Sequence, residues 1–206
     1  MLKKSACLAL SLCASSPLAA QTTEAWQAPT LSITRYDEDW LDLADAEKRG
    51  HHWTGQFKYI PLTDDAWLST GVEVRLRNEN YDNSLWGGAA APDDSFLWAR
   101  AMPYADLHVG IGDQIHARAF VQPIISYAVG VAPSASPIDQ SRVDMLQSFA
   151  DVSVGPVTLR GGRQMLSLGT ERLVGTRYGP NTPLAFDGVR GSVALGKGSK
   201  LDLFLL

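Results

Sequence analysis

Beyond Gly71 the basic residues of this chain are almost all arginine: Arg75, Arg77, Arg100, Arg118, Arg142, Arg160, Arg163, Arg172, Arg177 and Arg190. Lys197 and Lys200 are the only lysines there. A guanidinium is planar, permanently charged and carries a fork of donors that fits a carboxylate. Carboxylates lie among the arginines at Glu73, Asp106, Asp151, Asp187 and Asp202. Two chemistries fit this inventory: a wall that concentrates anions, or charge ladders that brace neighbouring strands. Catalysis has little to work with. The chain has no Gly-x-Ser-x-Gly elbow, His-Glu-x-x-His helix or P-loop. His51 and His52 are adjacent, so on a strand they face opposite ways, and no third metal ligand accompanies them. No enzyme activity, cofactor or metal is expected. The basic residues form no exposed run, which argues against nucleic acid as a partner.

The elements that position these residues are seven stretches of period-two alternation. In the first, Leu68, Thr70, Val72, Val74 and Leu76 share one face, and Ser69, Gly71, Glu73, Arg75 and Arg77 the other. The second sets Leu97, Ala99, Ala101, Ala105, Leu107 and Val109 against Trp98, Arg100, Met102, Tyr104, Asp106 and His108. The third sets Ile115, Ala117, Ala119 and Val121 against His116, Arg118, Phe120 and Gln122. In the fourth, Leu146, Ser148, Ala150, Val152 and Val154 oppose Gln147, Phe149, Asp151 and Ser153. The fifth places Arg160 opposite Leu159, the sixth Arg190 opposite Val189, and the last Asp202 and Phe204 opposite Leu201, Leu203 and Leu205. Each has about the length a tilted strand needs to cross hydrocarbon.

The connections alternate. The gaps at 110–113, 155–156 and 196–199 are turn-like; those near 79–96, 130–141 and 167–185 are long. Short turns at one end and long loops at the other are the habit of an outer-membrane barrel. The N-terminus fits export: Lys3 and Lys4, an apolar stretch to Ser16, and Ala19-Ala20 as a cleavage site make residues 1–20 a signal peptide. Cys7 and Cys13 both fall inside it, so the mature chain holds no disulfide, thiolate site or cysteine nucleophile. The expected layout is a signal peptide at 1–20, an N-terminal periplasmic segment at 21–66, acidic from Tyr36 to Asp65, and barrel wall at 67–206. The fold class is all-β, an antiparallel transmembrane β-barrel of about seven strands, with the cell outer membrane of a Gram-negative bacterium as its location. A net charge of −4 and a mean hydropathy near zero suit such a wall, because lumen residues dilute the lipid-facing ones. A soluble lipocalin-like barrel would place the apolar face inside instead. On the membrane reading, Arg75, Arg77, Arg100, Arg118, Arg160 and Arg190 meet Glu73, Asp106, Asp151 and Asp202 on the lumen face, six cations against four anions. Asp106, His108 and His116 could form an acid–base set across a hairpin, but lumen lining explains them more simply.

Several segments in order carry a family resemblance: Arg35-Tyr36-Asp37-Glu38-Asp39-Trp40, Phe57 to Leu62, and Gly71-Val72-Glu73-Val74-Arg75. Ser148 to Val152, Arg160-Gly161-Gly162-Arg163-Gln164, Arg172-Leu173-Val174, Gly179-Pro180-Asn181 and Phe186 to Arg190 follow. The chain thus resembles the alginate-export outer-membrane proteins over nearly all its mature length. The resemblance implies a large barrel with an arginine-rich pore that passes a polyuronate outward. It implies pore roles for Arg75, Asp151, Arg160, Arg163, Arg172, Asp187 and Arg190. The partners it implies are outer-membrane lipid, an anionic polysaccharide or small anionic solute, and an unidentified periplasmic component. Members of that kind are much longer, and single-chain bacterial barrels carry an even strand number. Seven strands ending at Leu206 therefore read as the N-terminal portion of such a barrel, a truncated product.

Overall fold

The structure is a computed structural model that describes residues 27–82, 93–132 and 134–206. The signal-peptide reading at 1–20 lies outside the described residues. Eight strands follow in chain order: β1 (Ile60–Thr63), β2 (Ala66–Tyr81), β3 (Asp94–Ile111), β4 (Ile115–Val129), β5 (Arg142–Val154), β6 (Val157–Gln164), β7 (Phe186–Gly196) and β8 (Ser199–Leu205). They form one sheet in sequence order, each strand antiparallel to the next. Among the described residues no helix is long and apolar enough to cross a membrane.

β1 is the element that alternation does not reveal. It is four residues long, far short of a span, and it contains Pro61. Proline cannot donate to a ladder and is tolerated on an edge, and among the described residues β1 is an edge strand that pairs with β2 alone. The other seven strands fall where period two places them. Their apolar faces are open: Val72 is 62%, Val74 66%, Leu76 71% and Leu203 67% exposed. An apolar band of that extent, backed by strands of up to 18 residues, suits hydrocarbon rather than water. The tight turns, at 64–65, 112–114, 155–156 and 197–198, all lie at one end of the sheet, and the long connections all lie at the other.

Two local departures from simple alternation bear on the inner face. Pro123 has no N–H to give β5, and the register between β4 and β5 slips beside it, so that Gln122 faces Gln147 while Pro123 faces Met145. The extra residue is Leu146. Alternation assigns Leu146 to the lipid face; the bulge turns it inward, where it is 4% exposed and packs with Met102, Ile124 and Met165. Gly162 has φ +130°, and a Cβ there would lie 2.4 Å from the Ser148 carbonyl oxygen. The missing side chain leaves the inner face beside Phe149 clear.

Two segments cover the inner, polar face. The first is residues 27–59, with 3-10 turns at Arg35–Asp37 and Leu41–Ala44, α1 (Ala46–Gly50) and α2 (Gly55–Lys58). Asp45 caps α1 by accepting from the Glu47 amide at 2.9 Å. The second is the connection 165–185, fixed by Leu184 N–H to Thr176 O (2.8 Å) and Thr182 N–H to Ile138 O (3.0 Å).

Candidate lumenal site

The antiparallel register assembles the site. Trp67, His108, Arg118, Asp151, Arg160, Arg190 and Phe204 are direct cross-strand neighbours from β2 to β8, all on the inner face. Arg160 grips Asp151 with two bonds, Nε at 2.7 Å and Nη2 at 2.8 Å. Arg118 grips both oxygens of Asp106, its Nε at 2.7 Å. Arg190 meets Asp202 through Nε at 3.0 Å and Nη2 at 2.9 Å. Towards the tight-turn end this row opens into a cavity of about 240 Å³. Arg118, Arg160, Arg190 and Lys200 line it beside Asp37 and Asp151, four cations against two carboxylates in the lining itself. His108 stacks on Trp67 at 3.9 Å and its Nδ1 lies 3.4 Å from His116 Nε2. Asp106, His108 and His116 do come together, but Asp106 is already committed to Arg118. No group of three metal-ligating side chains occurs among the described residues.

Nearer the long connections the arginines hold backbone instead. Arg75 donates to the carbonyls of Tyr178 (3.0 Å) and Pro180 (2.6 Å), and Arg77 to that of Gly179 (3.1 Å). Arg100, 2% exposed, donates to Pro180 O at 3.3 Å and to Glu73 at 2.8 Å, with the Tyr178 ring 4.4 Å from its guanidinium carbon. Asn181 pins the same loop by donating to Ala99, Tyr127 and Asp139 carbonyls. Loop 165–185 is thus drawn inward by wall cations that bind its carbonyls. Burial pushes the Tyr178 hydroxyl above its ordinary value, and the neighbouring Glu73 adds to the shift.

The structure places the other expected residues as follows. Glu73 bridges Arg100 and Arg35. Glu79, in the part of β2 beyond the alternating stretch read from sequence, pairs with Arg77 and adds a carboxylate to this face. Arg172 is exposed in loop 165–185. Arg163 and Asp187 form a bidentate pair, 2.9 and 2.8 Å, on the other face, in line with Leu159 and Val189. Their odd offset from Arg160 and Arg190 explains this, since period two sends them outward. Sequence reasoning also passed over Tyr178, Asn181 and Tyr36 as working residues. Asn181 stands beside Pro180 in a loop, a turn signal but not a sign of its three acceptors.

The family model described as alginate export matches residues 66–206. No curated protein and no solved structure matches the chain. The matched span contains β2 to β8 and every wall arginine, and it begins after the N-terminal segments of the resemblance. With an all-antiparallel sheet, an open apolar face and a polar inner face beneath two inserted segments, the chain belongs to the alginate-export family of outer-membrane β-barrel proteins.

Proposed function

We propose that this chain forms channel wall in the outer membrane and conducts an anionic polysaccharide or a related anionic solute. Outer-membrane lipid covers the apolar face, and the tight-turn end faces the periplasm, where an unidentified component could dock. The observation that carries the reading is the cation-lined cavity at that end, where Arg118, Arg160, Arg190 and Lys200 outnumber the carboxylates of the lining. Confined charge with low-dielectric walls raises the local concentration of counter-ions. Arg190→Gln with Lys200→Gln tests this and leaves the Arg160–Asp151 pair intact. Reversal potentials in a salt gradient should favour anions for the parent and shift towards zero for the double variant. A cation-preferring parent, or an unchanged potential in the variant, would count against the reading.

A second reading has its own support. Arg118, Arg160 and Arg190 each hold a carboxylate, so bracing of a non-transporting barrel fits the same row. Folded protein without conductance would favour it.

A further inference from the structure

A hydrogen bond joins the two segments on the inner face: the Tyr36 hydroxyl donates to the Met165 carbonyl at 2.6 Å. Tyr36 is 4% exposed. Its ring stands edge-on to Phe120 (5.9 Å) and Phe149 (5.1 Å), two wall residues stacked on each other. Arg160 lies 4.2 Å from the same ring, and Arg118 donates to the Tyr36 carbonyl at 2.6 Å. One residue later, Asp37 lines the cation-lined cavity. One residue earlier, Arg35 is held at 2.8 Å by both Glu38 and wall residue Glu73. Lys58 anchors the far end, 4.9 Å from the Trp40 ring and 4.7 Å from that of Tyr104. It fits because Gly71 has no Cβ; one there would come within 2.6 Å of the Lys58 ammonium.

These contacts differ from those that build the wall. Residues 27–59 contain no strand and add nothing to the ladder. They are held by one inserted tyrosine, by ion pairs and by short bonds to side chains, beside a cavity. They also precede the matched family span, 66–206. A segment that covers arginines of the wall, and is held by side-chain contacts rather than by the ladder, can leave as a unit while the sheet stays paired.

We infer that residues 32–40 are a plug, seated in the lumen by Tyr36 and latched to loop 165–185, whose release opens the path past Arg118 and Arg160. The inference rests on the channel reading above. In the seated state Asp37 occupies the anion-attracting side of the cavity, so the plug is a tethered competitor for the ligand that the cavity attracts.

The test compares the full chain with Tyr36→Ala in liposomes, by trypsin cleavage after Arg35 and by efflux of both chloride and an uncharged trisaccharide. Seated, Arg35 is shielded from protease; Tyr36→Ala should be cut there at least tenfold faster while 66–206 stays protected. Efflux of both solutes should rise several-fold. Equal cleavage in the two proteins, faster cleavage with unchanged efflux, or no efflux from either overturns the plug. If the trisaccharide flows faster but chloride does not, the anion reading fails and the plug stands. Glu73→Gln supplies the second variant, because it weakens the wall's hold on Arg35 while leaving the Glu38 pair and the aromatic socket in place; the same changes, smaller in size, are expected. Loss of the protected 66–206 core in both variants overturns the inference too, since the segment is then part of the wall's fold.

Discussion

At the scale of single residues, the Arg160–Asp151 pair shows why counting charges on a face says little about their work. Both side chains are under 10% exposed and both guanidinium bonds are short. Removing one partner strands the other, at a cost of about 3–5 kcal/mol. Arg160→Gln should lower stability by about that much, and adding Asp151→Asn should restore most of it; urea unfolding of the lipid-inserted protein reads both. A pH effect belongs to Lys58, which lies outside the spanning strands. Burial lowers its pKa, Glu38 opposes the shift and Arg35 adds to it, while the ammonium donates a hydrogen bond to the Tyr104 hydroxyl. A lysine with a lowered folded pKa binds fewer protons folded than unfolded between the two values. Seating of the segment should therefore strengthen as pH rises through the folded pKa towards about 10.5, the unfolded value. Lys58→Met should flatten that rise, measured by protection of residues 50–59 in hydrogen exchange. The inward direction of Arg75, Arg100, Arg118, Arg160 and Arg190 was legible, because parity along a strand fixes it. Their partners were only partly so. Asp151 lies one strand away in register, but the acceptors of Arg75 are loop carbonyls more than a hundred residues on, and carbonyls carry no side-chain signature.

At the scale of elements, alternation located seven of the eight strands, and the exceptions have backbone causes. Pro123 breaks the ladder and sends Leu146 inward; the proline was visible, but not which strand would take the extra residue. Faces can be tested through cost. Val74→Arg, on the open apolar face, should destabilise the inserted protein by about 2–4 kcal/mol if it lies near the midplane, whereas Thr158→Arg at the cavity should cost much less. Equal penalties in a folding titration would remove the distinction between the faces. Gly162→Ala is the backbone counterpart. It forces an L-residue to φ +130° and a Cβ against a carbonyl, and should cost at least about 1–3 kcal/mol from strain alone. Unfolding midpoints against a Gly161→Ala control measure it, since nothing lies within 4 Å of a Cβ at Gly161.

At the scale of the molecule, the sheet is a plain meander, and its plainness bears on how it is made. Each strand needs only its predecessor as a partner. The tight turns join β1 to β2, β3 to β4, β5 to β6 and β7 to β8, so four hairpins can close cheaply before any longer connection is ordered. Loop 165–185 cannot settle until Arg75 and Arg100 are in place to receive it, and the Tyr36 socket needs Phe120 and Phe149 together. The wall then assembles as a queue of hairpins, and the lumen fills last. In time-resolved refolding into lipid, ladder protection should precede burial of Tyr36 and Tyr178. The chain would pass through a stage in which it is already membrane-inserted but still empty inside.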